Sequence, residues 1–129
     1  MSDLKKSVLI VEDEYLISLG LTAQIEDLGL KVCATADSAD AAVVQAETHR
    51  PAIILMDLRL RGERDGVDAA QAIYNKVDSK IVFITGSREQ KTIDRIDQGH
   101  PFAVLFKPIS DKQLQATITE ALRASIGHV

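Results

Sequence analysis

Short runs of β-branched and aliphatic residues alternate along the chain with longer stretches whose apolar residues recur at helical spacing. This alternation predicts five strands, at residues 7–11, 30–34, 52–56, 80–85 and 102–106. The first, third and fourth runs are almost continuously hydrophobic, which is typical of parallel strands buried on both faces.

The stretches between the strands predict helices with one apolar stripe each. The first three stripes are Ile17, Leu21, Ile25 and Leu28; then Ala39, Ala42, Val43 and Ala46; then Val67, Ala70, Tyr74 and Val77. Each stripe is expected to face the sheet, so that these side chains belong to the core.

The last two helices are predicted from their starts. Ser110 and Gln113 have the spacing of a capping box, and Leu114, Ile118 and Leu122 follow on one face. Residues 87–90 show the same capping pattern, but only Ile93 and Ile96 follow as apolar anchors. We therefore expect the fourth helix to be the most loosely held.

Five strands alternating with five helices predict a doubly wound α/β fold, in which right-handed crossovers place helices on both faces of a parallel sheet. No linker, repeat or low-complexity segment interrupts the pattern. We expect residues 1–129 to form a single domain with a core of about residues 6–124 and no output domain.

The charge balance narrows the classes of partner. Fifteen Lys and Arg oppose 19 Asp and Glu for a net charge of −4, and Lys5-Lys6 is the longest basic run. Nucleic acid is not an expected partner, because phosphate-backbone binding needs a basic patch. No apolar run approaches the length of a membrane helix, and the first residues do not resemble a signal peptide, so we expect a cytoplasmic protein without membrane association.

Polar residues stand at the ends of four of the predicted strands. Glu12 and Asp13 stand at the end of the first, Asp57 at the end of the third, Thr85 at the end of the fourth and Lys107 at the end of the fifth. Because ligands of open α/β sheets bind at the carboxyl ends of the strands, these side chains are expected to share one site. Any one of them alone would be read as a cap or turn residue; their occurrence together points to function.

Three neighbouring carboxylates repel one another, so their clustering makes sense if a cation lies among them. Oxygen ligands of this kind suit Mg²⁺, which usually binds one or two carboxylates together with a phosphate. Lys107 adds a fixed positive charge, and the Thr85 hydroxyl can donate to a further oxygen. The set describes a pocket for a tetrahedral dianion, with Asp57 as the candidate nucleophile.

The same residues resemble the receiver domain of bacterial two-component response regulators over nearly the whole chain. The resemblance is carried by Val-Leu-Ile-Val-Glu-Asp-Glu at 8–14, Ile-Leu-Met-Asp-Leu at 54–58, Asp-Gly at 65–66, Phe-Ile-Thr-Gly at 83–86 and Phe-Lys-Pro at 106–108. It implies a flavodoxin-like fold with strand order 2-1-3-4-5.

The resemblance also implies a function. Asp57 would accept a phosphoryl group from the phosphohistidine of a sensor histidine kinase, while Thr85 and Lys107 contact the phosphoryl oxygens. Mg²⁺ would be held by Glu12, Asp13, Asp57 and the backbone carbonyl of Arg59. The chain would then be a stand-alone receiver that catalyses only its own phosphorylation and dephosphorylation and is otherwise not an enzyme.

Its partners would be the kinase, and either a histidine phosphotransferase or a downstream protein target. The loop after Asp57 and the Phe-Ile-Thr-Gly segment resemble an alphaproteobacterial branch of stand-alone receivers, some of which work with HWE-type kinases. The phosphoryl group would either signal through protein contacts or be drained in a phosphorelay.

Two features depart from the family pattern. Val104 stands where the family usually has Tyr or Phe, so either Phe102 or Phe106 takes that role or coupling runs through the fourth helix. The loop after Asp57 has Arg61 in place of the usual Pro and reaches Asp65-Gly66 one residue late. Its arginines, at 59, 61 and 64, are either solvated or tune water access to the acyl phosphate.

The alternative that remains open is a degenerate receiver that acts as a phosphorylation-independent interaction module. A flavin-binding protein is disfavoured, because the acidic residues after the first strand would repel a phosphate. A phosphatase of the aspartyl-nucleophile type would need a general acid where Arg59 stands. His49, His100 and His128 lie in contexts that do not suggest a phosphohistidine module.

Overall fold

The computed structural model describes residues 7–126. The segment 1–6, which contains the predicted start of the core at residue 6, and the tail with His128 lie outside the described residues.

The chain forms one five-stranded sheet in which every neighbouring pair of strands is parallel. The strands are β1 (Ser7–Val11), β2 (Lys31–Ala36), β3 (Ile53–Asp57), β4 (Lys80–Thr85) and β5 (Ala103–Phe106). Their order in the sheet is β2-β1-β3-β4-β5. The predicted α/β class, the parallel sheet and the strand order are confirmed.

Helices cover both faces of the sheet. They are α1 (Tyr15–Asp27), α2 (Ala39–His49), α3 (Gly66–Tyr74), α4 (Gln90–Asp97) and α5 (Asp111–Ile126). The buried residues form two clusters, one between the sheet and α1 with α5, the other between the sheet and α2, α3 and α4.

The two clusters follow from the two-residue period of a strand, which points successive side chains to opposite faces. In β1, Leu9 packs towards α2 to α4, whereas Ile10 packs towards α1 and α5. In β4, Phe83 and Ile84 divide in the same way. Continuous hydrophobic runs are therefore needed in the central strands, as the sequence predicted.

Two strand boundaries differ from the prediction at the edge where the polar residues gather. β2 extends to Ala36 and not to residue 34. Asp57 is the last residue of β3 itself and pairs in register with Ile84 of β4. The acceptor candidate is thus fixed by the sheet ladder, at the end of the strand where the sequence placed it.

The predicted core stripes are wrong at two positions. Ile17 is 40% exposed, and the buried positions of α1 are Ser18, Leu21 and Ile25. Tyr74 is 54% exposed and stacks on the His100 ring, with 3.7 Å between centroids.

Of the two predicted capping boxes, the one at α5 is confirmed and the one at α4 is wrong. At α5, Gln113 N donates to Ser110 Oγ at 3.1 Å, and Ser110 N donates to Gln113 Oε1 at 3.2 Å. At α4 the prediction is wrong, because the helix begins at Gln90 and its N-cap residue Glu89 makes no side-chain cap bond. Ser87 instead accepts from Glu89 N at 3.2 Å in the loop before the helix.

Within residues 7–126, none of the helices combines the length and apolar character that spanning a membrane requires.

Candidate functional site

Four strands deliver the predicted site residues to one edge of the sheet. Asp57 and Thr85 are the last residues of β3 and β4, Glu12 follows β1, and Lys107 follows β5. The backbone holds the outer two in place: Glu12 N donates to Ala36 O at 2.9 Å, and Lys107 N donates to Thr85 O at 2.8 Å. The structure therefore brings these side chains together at one edge of the sheet.

Three carboxylates cluster at this edge. Glu12, Asp13 and Asp57 each present an oxygen within 4.8 Å of the other two. Glu12 and Asp57 are buried, at 3% and 7% exposure, while Asp13 is half-buried. Two like charges at this separation repel by roughly 3 kcal/mol at an effective dielectric constant near 20, so the cluster fits a hard divalent cation such as Mg²⁺.

Lys107 is the cation that the structure itself supplies. Its Nζ donates to Asp57 Oδ2 at 2.8 Å and to Glu12 Oε1 at 3.1 Å. Burial alone would lower the pKa of Lys107, but the two carboxylates outweigh burial and raise it above its ordinary value. The ammonium therefore remains charged between its two partners.

The pKa of Glu12 is strongly raised. Burial, together with the neighbouring Asp57 carboxyl, raises the pKa of Glu12 from 4.5 to about 7, and the Lys107 ammonium only partly offsets this. If both were ionised, the buried carboxyl groups of Glu12 and Asp57 would carry two negative charges, and the Lys107 ammonium between them supplies only one positive charge. A bound divalent cation would relieve this imbalance, which is a further sign that the donor set fits a metal.

Thr85 lies buried at the same edge, at 4% exposure. Its Oγ1 accepts a hydrogen bond from Ser87 N at 3.1 Å. Thr85, Asp57, Asp13 and Lys107 line one cavity of about 470 Å³. Residues at the ends of β1, β3 and β4 and in the loops after them line the cavity, and its size and polar lining suit a phosphoryl group and its waters.

The loop after Asp57 is fixed to the start of α3. Gly66 N donates to Leu58 O at 2.7 Å. A Cβ placed on Gly66 would come 2.2 Å from the Asp57 carbonyl oxygen, so this position requires glycine for close approach. Arg59 N lies 3.4 Å from Asp57 Oδ1, and Arg59 lines the same cavity.

The other two arginines of the loop do not line this cavity. Arg61 pairs with Asp37 at 3.6 Å, and its backbone N–H donates to Asp37 O. Arg64 pairs with Asp40. Both pairs are well exposed, so they fasten the loop to the start of α2 with modest energy. Arg59 is the arginine placed to affect the pocket.

The pairing of β5 with β4 shows which aromatic residue lies near the site. Val104, half-buried, lies opposite Phe83, and Phe106 lies opposite Thr85. Phe102 precedes the strand and bonds to Ile81 O, at the far end from the site. Phe106 is therefore the aromatic residue beside Thr85, and the Arg88 guanidinium covers its ring.

Two features of the site escaped the sequence reasoning. Thr92 of α4 lines the cavity and donates through Oγ1 to Ser87 Oγ at 3.1 Å. The exposed apolar face of α1 near the site consists of Leu16 and Ile17, which line a groove together with Lys107, and Tyr15 and Leu19 of the same helix are also exposed. The available signal was the run Tyr-Leu-Ile-Ser-Leu, which has more apolar residues than one core stripe needs.

A family model described as the response regulator receiver domain matches residues 8–119 of the chain. The chain belongs to the response regulator receiver domain family. Its membership places the receiver in two-component signalling, and the acidic cluster is of the kind at which receivers bind Mg²⁺.

Curated relatives agree with this assignment. The receiver is 33% identical over 117 residues to the transcriptional regulatory protein PdtaR of Mycobacterium tuberculosis, covering 91% of this chain and 57% of that protein. It is 31% identical over 122 residues to the phyllosphere-induced regulator PhyR of Methylorubrum extorquens, covering 94% and 45%. The chain thus spans about half the length of these relatives.

Solved receivers have the same architecture. The signal receiver domain of a modulated diguanylate cyclase from Desulfovibrio desulfuricans G20 matches with a TM-score of 0.88 and 35% identity, over 95% of this chain and 98% of that one. The receiver domain of Erythrobacter litoralis PhyR matches with a TM-score of 0.78 and 30% identity, over 91% and 89%.

Proposed function

We propose that the receiver accepts a phosphoryl group from the phosphohistidine of a sensor histidine kinase onto Asp57, and acts through protein contacts. The observation that carries the proposal is the bond from Lys107 Nζ to Asp57 Oδ2, made inside a cavity that Thr85 and Asp13 also line. With a sensor histidine kinase as its phosphodonor, the receiver would act in the cytoplasm.

Each residue has a role that follows from its position. A carboxylate oxygen of Asp57 attacks the phosphorus in line as the phosphorus–nitrogen bond to the donor imidazole breaks, and the imidazole nitrogen retains the electron pair. Lys107 offsets charge on the transferring group, and the Thr85 hydroxyl donates to one of its oxygens. Hydrolysis of the acyl phosphate returns Asp57 to the carboxylate. Apart from this self-directed chemistry the receiver is not an enzyme.

The metal role falls to four oxygen donors: the carboxylates of Glu12, Asp13 and Asp57 and the backbone carbonyl of Arg59. Mg²⁺ bound there would neutralise charge on the acceptor and on the incoming phosphoryl group. The Glu12 carboxylate is held in place by two hydrogen bonds, since Glu14 N donates to Glu12 Oε2 at 3.1 Å and Lys107 Nζ donates to Glu12 Oε1 at 3.1 Å.

The apolar face of α1 is the proposed docking surface for the kinase. Leu16 is 79% exposed and borders a groove of about 470 Å³ that runs between α1 and the loop after β5. Lys107 lines both this groove and the phosphoacceptor cavity. A helical partner that carries a phosphohistidine can therefore bury its apolar side chains here while its imidazole reaches Asp57.

The proposal that the kinase is of the HWE type rests on the loop after Asp57 and on the Phe-Ile-Thr-Gly segment, which resemble those of receivers that work with such kinases. A histidine phosphotransferase uses the same chemistry and fits the same groove, so the receiver can also drain phosphoryl groups. The second candidate function, a phosphorylation-independent interaction module, is favoured by one observation: Val104 occupies the position where receivers usually have an aromatic ring.

Intact-protein mass spectrometry tests the proposal. The receiver is incubated with a small phosphodonor or a histidine kinase, with Mg²⁺ or with chelator. We expect the mass of one added phosphoryl group with Mg²⁺, and none with chelator or in Asp57→Asn. Asp78→Asn, which removes an exposed carboxylate outside the cavity, should label like the native chain. Labelling of Asp57→Asn would overturn the assignment of Asp57 as the acceptor. Failure of the native chain to label with either donor would favour the interaction module.

A further inference from the structure

The loop between β3 and α3 is joined at its middle to the start of α2. Arg61 N donates to Asp37 O at 3.0 Å, and Ser38 and Arg61 form an isolated parallel β-bridge. Asp37 directly follows Ala36, the last residue of β2, whose carbonyl oxygen accepts from Glu12 N at 2.9 Å. The bridge therefore ties the loop to a segment whose backbone is itself bonded to a candidate metal ligand.

Two ion pairs reinforce the bridge. Arg61 Nε lies 3.6 Å from Asp37 Oδ2, and Arg64 pairs with Asp40 in the first turn of α2. All four charged side chains are more than half exposed, so each pair adds little energy and serves mainly to fix where the loop lies. We name the Arg61–Asp37 hydrogen bond and ion pair the loop clamp.

The two ends of the loop are anchored separately. At the β3 end, Arg59 N lies 3.4 Å from Asp57 Oδ1. At the α3 end, Asp65 accepts from Arg95 Nε at 3.1 Å and from Arg95 Nη2 at 2.8 Å. The middle of the loop, residues 61–64, is exposed throughout, so packing against the core contributes little to its position. The loop clamp supplies for this middle part the restraint that packing supplies elsewhere.

The residue type at position 61 makes the loop clamp possible. A proline, which the family pattern usually has here, fixes its own φ but has no N–H. Arg61 leaves the backbone freer, and the loop is also one residue longer, so more conformational entropy must be lost to order it. The Arg61 N–H, which a proline lacks, is the group that donates to Asp37 O. The loop clamp thus compensates for both departures from the family pattern.

The loop clamp lies beside the carboxylate cluster. Arg61 and Asp37 line a cavity of about 470 Å³ together with Glu12 and Asp13. Asp13 also lines the phosphoacceptor cavity, so the two cavities adjoin at this carboxylate. Arg59, which lines the phosphoacceptor cavity as well, is separated from Arg61 by one residue. A shift of the Arg61 N–H would therefore be passed along the backbone to the Arg59 carbonyl.

We propose that Arg61 is a positioning residue for the metal, because the loop clamp holds the Arg59 carbonyl at the carboxylate cluster as the fourth oxygen donor to Mg²⁺. Arg61 acts through the backbone of residues 59–61 and not by contact with the ion or the phosphoryl group. In this role it is neither a purely solvated residue nor a gate for water. The proposal rests on the proposed function, which assigns the metal to this cluster.

Charge alone predicts the opposite effect of Arg61 on metal binding. The guanidinium lines the same cavity as Glu12 and Asp13, so it repels a cation bound at these carboxylates. If this repulsion were its only influence, removing the guanidinium would strengthen the binding of Mg²⁺. If the loop clamp positions a donor, removing the guanidinium weakens binding. The direction of the change therefore distinguishes the two roles.

Titration of the full chain with Mg²⁺ alone, followed by backbone amide NMR, tests the proposal. Arg61→Gln removes the guanidinium and retains the N–H, Arg61→Pro removes both, and Arg61→Lys retains the N–H and the charge. Arg123→Gln is the matched control, because Arg123 is an exposed arginine that pairs with Glu120 on α5. Asp13→Asn shows whether the measured Mg²⁺ is bound at the carboxylate cluster, and urea unfolding shows that each variant is folded.

We expect the Mg²⁺ dissociation constant to rise about threefold in Arg61→Gln and about tenfold in Arg61→Pro, because ordering the loop then costs part of the binding free energy. Arg61→Lys should stay within about twofold of the native value, and Arg123→Gln should match it. The urea midpoint of Arg61→Gln in chelator should shift by less than about 0.3 M, since an exposed pair adds little stability.

The Arg61 amide hydrogen gives an independent readout, because it lies in the bond to Asp37 O. Binding and loop order are reciprocally linked, so saturating Mg²⁺ should slow the exchange of this hydrogen by about threefold in the native chain. A contact that only stabilises the fold would leave both this exchange rate and the dissociation constant unresponsive to each other.

Failure of this inference can be told from failure of the proposed function. A native chain that binds no Mg²⁺, or an Asp13→Asn variant that binds it like the native chain, overturns the metal role and this inference with it. A native chain that binds Mg²⁺ at the cluster, while Arg61→Gln and Arg61→Pro bind it as tightly or more tightly, overturns the inference alone.

Discussion

The guanidinium carbon of Arg88 lies 4.2 Å from the ring centroid of Phe106. Arg88 belongs to the loop between β4 and α4, and Phe106 is the register partner of Thr85. The loop after Thr85 is therefore held to β5 by a cation–π contact between an exposed guanidinium and a half-buried ring.

This contact should be measurable as a coupling energy. A double-mutant cycle of Arg88→Ala and Phe106→Leu, with stability taken from urea unfolding, should give about 0.5–1 kcal/mol, the range of an exposed cation–π pair. Additive single effects would show that the ring and the guanidinium do not interact in solution. Arg123→Ala paired with Phe106→Leu is the control and should be additive.

Lys107→Ala should impair phosphoryl acceptance more than stability. Loss of a positioned charge beside the transferring group should lower the rate of labelling by about 100-fold. In chelator the free energy of unfolding should fall by about 1–3 kcal/mol, because Glu12 and Asp57 lose their shared cation. Lys112→Ala, an exposed neighbour on α5, should change neither quantity. A native labelling rate in Lys107→Ala would contradict the role.

The stability of the metal-free receiver should depend on Glu12. Its pKa of about 7 when folded exceeds the ordinary 4.5, so between these values the folded chain retains a proton that the unfolded chain has lost. Raising the pH therefore favours unfolding, with a loss on the order of 3 kcal/mol that begins near pH 4.5 and is complete above pH 7.

Urea unfolding in chelator across this pH range measures the effect, and Glu12→Gln should flatten the profile. Adding Mg²⁺ at about ten times its dissociation constant should restore about 1.4 kcal/mol to the native chain at pH 8. A native profile that rises between pH 5 and 7 while that of Glu12→Gln rises in parallel would contradict the shifted titration.

Gly66→Ala should be strongly destabilising, because its Cβ would overlap the Asp57 carbonyl oxygen and approach Met56 Cγ to 2.9 Å. We expect a loss of about 2–3 kcal/mol in urea unfolding, together with slower labelling as the loop after Asp57 shifts. Gly20→Ala is the control: nothing lies within 4 Å of the added Cβ in α1, so it should stabilise by about 0.5–1 kcal/mol.

Leu16→Gln should separate kinase docking from acceptor chemistry. If the groove beside α1 receives the kinase, transfer from phosphohistidine should slow by about tenfold, because an apolar anchor of the interface is lost. Labelling by a small phosphodonor should stay at the native rate. Val44→Gln alters an equally apolar residue, 58% exposed on α2, and should leave both rates unchanged.

The fold and the site edge could be predicted because both follow from local pattern. Buried parallel strands need continuous hydrophobic runs, and parallel strands bring their carboxyl ends to one edge, so Asp57, Thr85 and Lys107 meet wherever such strands form. No information about distant contacts is needed for either step.

The errors arise where one pattern has two physical explanations. Apolar residues surround α1, and periodicity cannot tell whether Ile17 faces the sheet or a partner. Residues 87–90 have the spacing of a capping box, yet Ser87 serves the loop, because Thr92 and Glu89 N use its hydroxyl. The Arg95–Asp65 pair joins residues 30 positions apart, and no local rule could have predicted it.

Lys107 borders both the phosphoacceptor cavity and the groove beside α1. A partner bound in the groove would therefore change the dielectric surroundings of the Lys107 charge. Its side chain is 29% exposed in the isolated receiver, so water screens part of its attraction to Asp57. A partner seated in the groove beside α1 would replace that water with apolar side chains, and charges interact more strongly in such surroundings. Docking would then prepare the acceptor electrostatically before any bond to phosphorus forms, and a small phosphodonor, which covers no surface, would gain nothing from this effect.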